Sequence, residues 1–576
     1  MNRLSIKVAV AMLPFALVAA VPAAAQFNQE RAELPEPAET VLHNGRIYTP
    51  SGWASAIAIA HGAIVAVGDD AAIAPHRASG TKMVDLGGNM VLPGLHDMHV
   101  HPLGAGMTQF RCQIPHGSTP EAIFAITRAC VAKAKAGEWI TGRAYQADSF
   151  GDTPPNKAML DRVAPRNPVI FTDISGHSSW ANSLALKAAG ITRDTPDPEG
   201  GIIERDARGE PTGVLRESAA RLVSVLVPGP TRAQAAQALK WSLDQMLSYG
   251  ITAFDDAGVA LDTAIAYADL SDRGELKQRV RGCLWGRDQR VIDQRNLYAR
   301  PRFSPSCVKI VLDGVPTDGH TAAMVEDYEP LLHASGHDEG REKGLLLIPQ
   351  AELDTLVTKL DADGLTVKFH AVGDAAVRAG LDAIEAARKA NGFSGNLHNV
   401  GHNSFVQMSD IRRARAIQAA FEMSPYIWYV SPIIADIRRA VGEERMKRWT
   451  PVKDAIDAGA LVVPGSDWNV VPSVNPWIAI ETLVTRQVPG GGGEVLGAEE
   501  RITLKQAVDL FTRNSAREMN FDHATGTIEK GKLADVIVVD RNIFEVPITS
   551  VHATKVLATY IEGEKVYDAG AAGSMR

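Results

Sequence analysis

The feature that most constrains this chain is an alternation of short apolar strands with well-capped helices, sustained over most of its 576 residues. The pattern predicts a helix from Thr231 to Gly250, with Thr231 as N-cap and Gly250 as the stop before the strand ITAFDD. A second helix is predicted between Gln350 and Gly364, followed by the strand text LTVKFHAVGD. A third, DAAVRAGLDAIEAARKANG, follows at once and stops at Gly392. Repetition of this kind predicts a parallel sheet, and at this length a closed barrel. The rival, a doubly wound sheet, lacks a GxGxxG fingerprint after its first strand. The expected fold class is therefore α/β, a (β/α)8 TIM barrel over residues 93–515. Residues 137–230 are too long for one strand–helix step and predict an insertion. Hydrophobic residues at 45% and charged residues at 22% supply a sizeable core and exclude a disordered chain.

The two ends of the chain have a different texture. Residues 26–92 carry the β-like runs VLHNGRIYT, AIAIAHGAIVAVG and KMVDLGGNMVLPG, with Asn44-Gly45 and His61-Gly62 where tight turns would fall. Residues 516–576 carry DVIVVDRN, VLATYIEG and EKVYD. Neither end has enough strand to bury a sheet face alone. One composite β-sandwich domain built from both ends is the economical expectation.

Residues 1–25 read as a signal peptide. Arg3 and Lys7 precede an apolar run from Val8 to Val21, and Ala23-Ala24-Ala25 forms a small-residue cleavage site. The run is too short for a membrane span and Pro14 interrupts it. No later stretch is long and apolar enough for stable membrane insertion. Export to a periplasm or the extracellular space is expected, with cleavage near Ala25. There Cys112, Cys130, Cys283 and Cys307 either pair as disulfides or remain buried thiols, and their spacing fits no zinc motif. A net charge of −8 offers no basic field for nucleic acid.

The chemistry gathers at strand ends. In PGLHDMHVHP, His99 and His101 alternate along a strand and share a face, half of a zinc site with open positions. Asp97 shares that face, where it would orient backbone or a ligand imidazole. His96 lies on the opposite face, where a structural role fits. VKFHAVGD ends a strand at His370, NLHNVGHNSF offers His398 and His402, and LVVPGSDWN ends in Asp467. Each alone reads first as a core or ligand-supporting histidine, or as a capping aspartate. Together they place metal-type ligands at the carboxyl ends of several strands, where barrel enzymes build their sites.

These blocks resemble the amidohydrolase superfamily, and within it amidohydrolase family 3, the YtcJ-like branch that includes N-substituted formamide deformylases. The resemblance covers NGRIYT, VLPGLHDMHVHP, WITGRAYQADSF, PVIFTDISGHSSWANSLALKAAGI, PEGGIIERDARGEPTGVLRE, VKIVLDGVPTDGHTAA, HAVGDAAV, GSDWNVVP and GTIEKGKLADVIVVD, in that order. It implies His99 and His101 as strand 1 ligands, His370 and His402 as strand 5 and 6 ligands, and Asp467 as the strand 8 aspartate. Lys309 falls where the family places the strand 4 residue that can be carboxylated to bridge two metals. A lysine paired with Asp313 is the alternative, so one or two divalent metals, zinc by preference, are expected. His177 lies in the family's GH block and reaches substrate in one reading and fills the core in the other. Two departures stand out: His320 replaces the usual arginine before TA, and Trp468 and Asn469 follow the strand 8 aspartate.

The expected function is hydrolysis of a non-peptide carbon–nitrogen bond in a small-molecule amide, formamide, carbamate or cyclic amide. A metal-bound hydroxide would attack the carbonyl, with Asp467 as general base. Lactone or ester hydrolysis on the same barrel is the nearest alternative, and a non-catalytic exported binding protein is the alternative from another class. A homo-oligomer is compatible with everything above.

Overall fold

The computed structural model describes residues 35–573 except 116, 152, 174–177, 199–200, 287, 318–319 and 330–342. The expected signal segment and His177 therefore lie outside the described residues.

Eight parallel strands form one sheet in sequential order: β1 (Leu95–Val100), β2 (Ile251–Val259), β3 (Arg279–Trp285), β4 (Phe303–Val311), β5 (Thr366–Ala371), β6 (Asn399–His402), β7 (Ala420–Met423) and β8 (Leu461–Pro464). Closure comes just past β8, where Val100 bridges Trp468, so the sheet is a (β/α)8 barrel. All six residues of β1 are buried, as a strand packed on both faces requires.

The helices form where capping chemistry permits. Pro102–Met107 (α1) follows β1 directly. Arg232–Ser248 (α2) opens on a capping box, with the Thr231 side chain accepting from the Gln234 amide. It ends at Gly250, whose φ of 82° suits the turn into β2. Gln350–Ala362 (α3) and Asp374–Asn391 (α4) flank β5 and pack on each other through Leu353, Val357, Ile384 and Ala387. Among the described residues no helix is long and apolar enough to cross a membrane.

Both chain ends build the second layer. A six-stranded sheet takes Glu564–Asp568, Val556–Ile561 and Val536–Val539 from the C-terminal end, and Met90–Pro93, Arg46–Thr49 and Gly52–Ala54 from the N-terminal end. A four-stranded sheet of Thr40–His43, Ala56–Ala60, Ala63–Gly68 and Lys82–Asp85 packs against it. Leu42, Ile57 and Ile64 from one sheet meet Ile47, Val91, Val536 and Tyr560 from the other in one buried cluster. The composite β-sandwich is thus present.

Between β1 and α2 the chain forms a further six-stranded sheet, from Cys112–Gln113 to Pro211–Glu217, with a core that includes Tyr145, Phe171 and Trp180. The cysteines are paired: Cys112 with Cys130, and Cys283 on β3 with its register partner Cys307 on β4.

Candidate metal centre

The period-two alternation of β1 turns His99 and the following His101 to one side, at the carboxyl end of the barrel. Asp467 reaches the same place from three residues beyond β8. Two main-chain bonds clamp the segments together: the Asp467 amide donates to the His99 carbonyl (2.7 Å), and the His101 amide donates to the Trp468 carbonyl (2.6 Å). Asp467 holds this position with φ at 57°, a left-handed backbone that costs a non-glycine residue about 1 kcal/mol or more. Gly465 permits the approach, because a Cβ there would lie 2.4 Å from the His99 Cβ and 2.5 Å from Glu422 Oε1.

The result is a tight donor group. One ligand atom each from His99, His101 and Asp467 lies within 4.8 Å of the others. Asp467 Oδ1 is 3.3 Å from His101 Nε2 and 3.8 Å from His99 Nε2. Lys309 on β4 brings Nζ to 3.2 Å from His99 Nε2. The His402 ring on β6 sits 4.7 Å from the His99 ring and 4.2 Å from that of His370 on β5. His402 also has a positive φ, 75°. Its Nδ1 meets Ser424 Oγ at 3.1 Å, while its Nε2 is buried with no hydrogen-bond partner.

Behind His99 lies a buried chain of charges. Glu422 Oε2 on β7 is 2.5 Å from His99 Nδ1, which assigns the proton to Nδ1 and leaves Nε2 free toward Lys309 and Asp467. Lys368 on β5, wholly buried, donates to the Met98 carbonyl (2.6 Å) and lies 3.7 Å from Glu422 and 3.4 Å from Asp255. Asp255 accepts from Arg281, which also reaches Glu518 at 2.5 Å. Asp97 accepts from the His99 and Ser466 amides (3.1 and 3.0 Å), so it orients backbone at the centre.

Burial sets the protonation states. It drives His99 and His402 well below the usual imidazole value, aided by the positive charge of Lys309, and takes His370 down to about 4. All three are neutral imidazoles near pH 7, the form that ligates metal. Burial, and after it the charge of Lys368, lowers Lys309 to about 7. Burial raises Glu422 to about 7 against the pull of Lys368 and Lys309.

The donor set fits a divalent metal. Imidazole nitrogens and a carboxylate converge at one point, and the orphaned His402 Nε2 is a buried polar atom that a cation would satisfy. Lys309, His370 and His402 surround that point, and Lys309 does not pair with Asp313. Asp313 instead accepts from the amides of Ala323, Val372 and Gly373, and sits 3.9 Å from His370 Nε2. His398 is placed elsewhere: its Nδ1 accepts from the Val367 amide and its Nε2 donates to Asp361 (2.9 Å), inside the wall of the barrel. His96 is buried with Nδ1 unpaired. His320 stacks on Tyr328 at 4.4 Å, and the Trp468 ring lies tilted against Trp241 with centroids 6.0 Å apart.

Sequence reasoning missed Glu422, Lys368 and Asp255. The available signal was a charged residue inside apolar strand text, as in AFEM and TVKFHA, which burial makes costly unless it is paired.

A parallel barrel whose strand 1 and strand 8 ends bring two imidazoles and a carboxylate within 4.8 Å, with Lys309, His370 and His402 close by, has the architecture of a metal-dependent hydrolase. The chain belongs to the amidohydrolase family, whose model matches residues 82–567. It is similar over 92% of both chains, at 29% identity, to Protein LONG AFTER FAR-RED 3 of Arabidopsis thaliana. It is 27% identical to the putative amidohydrolase YtcJ of Bacillus subtilis, over 92% of this chain and 99% of that one. It is 25% identical to the N-substituted formamide deformylase of Arthrobacter pascens, over 89% of this chain and 95% of that one. An uncharacterized metal-dependent hydrolase from Pyrococcus horikoshii shares the fold, with a TM-score of 0.73 and 23% identity over 88% of this chain and 99% of that one. The protein is accordingly a hydrolase of the amidohydrolase class that works with a divalent metal.

Proposed function

We propose that this protein hydrolyses a carbon–nitrogen bond other than a peptide bond in a small-molecule amide or N-substituted formamide, with zinc as the metal. The observation that carries the reading is the convergence of His99 Nε2, His101 Nε2 and Asp467 Oδ1 within 4.8 Å at the barrel mouth. The likeness to an N-substituted formamide deformylase supports the substrate class. A divalent metal bound there supplies a water of lowered pKa and polarises the scissile carbonyl.

The chain's own groups do the rest. His99, His101, His370 and His402 would hold the ion, and Glu422 fixes the His99 tautomer. Asp467, with Oδ1 3.3 Å from His101 Nε2, would take a proton from the attacking water and return it to the leaving nitrogen. With its pKa near 7, Lys309 has the neutral amine that reacts with carbon dioxide to form a carbamate, which would bridge a second ion. Such a lysine predicts two metals in bicarbonate and one without it. The same reading includes export: residues 1–25 direct it, and the two disulfides support an oxidising compartment.

Metal analysis of the purified mature protein beside Asp467→Asn tests this, followed by a panel of N-formyl amines, amides and lactones. Stoichiometric zinc and turnover of the nitrogen substrates uphold the reading. Faster lactone turnover reassigns the bond, and an absence of metal after reconstitution with bicarbonate removes the hydrolase.

A further inference from the structure

A cavity of about 470 Å³ opens between the extra sheet, α2 and the loop that follows Asp467. Its walls include Trp468, directly after one proposed ligand, and Ala105 on α1, which begins directly after His101. Trp241 and Trp468 form an apolar floor, and Gln109 and Gln245 add amide groups. Arg111 and Arg143 both line it, and no aspartate or glutamate among the described residues does.

Arg193, Arg232, Arg279, Arg281 and Arg300 each hold a carboxylate. Among the described residues, neither the Arg111 nor the Arg143 guanidinium has an ion pair or side-chain hydrogen bond. Arg111 is open to solvent yet walled by protein, and that crowding, with the like charge of Arg143 after it, lowers its pKa. Two neighbouring guanidiniums with no counter-charge among the described residues, in an acidic protein of net charge −8, form a local positive spot with planar donors.

We propose that Arg111 and Arg143 form a binding site for a small oxyanion, a carboxylate or phosphate group, in the cavity beside the strand 8 loop. Bidentate pairing satisfies both forks, and the indole floor accepts an apolar body next to the anionic group. Two sources share this chemistry: an anionic tail of the substrate, which rests on the hydrolase reading above, or a separate small anion seated against the loop that carries Asp467.

Calorimetric titration of the holoenzyme with inorganic phosphate and with succinate, at constant ionic strength, tests the site directly. Saturable binding that weakens by about tenfold or more in Arg111→Gln/Arg143→Gln, with metal content unchanged, supports it. The double Arg→Lys variant, which keeps charge but not the fork, should bind with intermediate strength and controls for misfolding. Undiminished binding in the double glutamine variant, or binding lost only in Asp467→Asn, overturns the proposal by moving the anion to the metal. Because binding is read without turnover, failure of the hydrolase reading leaves this result standing. The source is separated by comparing an N-formyl amino acid with a neutral N-formyl amine. A fall in the anionic-to-neutral kcat/KM ratio in the glutamine variant identifies a substrate tail. An unchanged ratio, with phosphate altering turnover of the neutral compound, identifies a separate anion.

Discussion

Replacing Glu422 by glutamine isolates the contribution of the buried charge chain to the metal centre. The side chain keeps its volume and can still accept from His99 Nδ1, so the 2.5 Å contact survives as a neutral hydrogen bond. A bond to a charged acceptor contributes about 1.5–3 kcal/mol and a neutral one about 0.5–1.5, a difference of about 1–2 kcal/mol. That difference appears mainly in the metal-bound state, where the ion draws electron density from His99 Nε2 and makes the Nδ1 proton more acidic. The ion also favours the carboxylate form of Glu422 over the protonated one. Metal affinity should therefore fall by roughly 10- to 30-fold, within the range typical for the residue behind a ligating histidine. Chelator competition measures the affinity, and kcat at saturating metal measures the rest. Lys368 loses one of its two carboxylates, 3.7 Å away, so the melting temperature of the metal-free protein should also drop. Metal affinity within twofold of wild type would refute the role assigned to Glu422.

Asp467→Asn should retain measurable metal yet lose about 10²- to 10⁴-fold in kcat, as expected for removal of a general base, in a steady-state assay at saturating metal. Lys309→Ala should abolish any bicarbonate-dependent rise in metal content, read by elemental analysis. Gly465→Ala should destabilise the fold by about 1–3 kcal/mol and weaken metal binding, because the new Cβ meets His99 and Glu422 at 2.4–2.5 Å; denaturant melts and chelator competition report both. Away from the centre, His398 is held below the usual imidazole value by burial. Hydrogen bonds from His398, Ser394 and Asn391 outweigh burial and hold Asp361 below the usual carboxylate range. Both pKa values are depressed on folding, so the stability they contribute is present near neutral pH. It fades as pH falls, from below about 6.5 for His398 and from below about 4 for Asp361. Melting temperature against pH should show this loss, and it should be smaller in Asp361→Asn, which starts from a lower plateau.

The barrel was legible because its signals are local. Thr231, Gly250, Gly364 and Gly392 punctuate helices through capping and positive φ, and neither effect needs a distant partner. The candidate ligands were legible for a related reason: each stands at the end of an apolar strand, and topology alone gathers strand ends. What stayed hidden depends on partners far apart in the chain. Glu422 matters only because β7 brings it to His99, and Lys368 only because Asp255 and Glu422 close around it. The cysteine pairing stayed open because four thiols allow three connectivities, and only the register of β3 on β4 selects Cys283 with Cys307. The Arg111 and Arg143 cavity could not be read at all, since its walls come from four separate segments.

The sheet that both ends share has a consequence for how the molecule is made. Met90–Pro93 pairs on one side with Arg46–Thr49 and on the other only with Val536–Val539, where Leu92 faces Ile537. During synthesis the N-terminal strands emerge first and wait, with the outer edge of Met90–Pro93 unpaired, until almost the whole chain has followed. A chain cut short before Val536 leaves a sticky edge on an otherwise finished barrel, so loss of the last strands is expected to show as aggregation before it shows as loss of catalysis. The final forty residues therefore act as the closing seam of the protein, and their arrival is the event that makes a newly made copy safe to release.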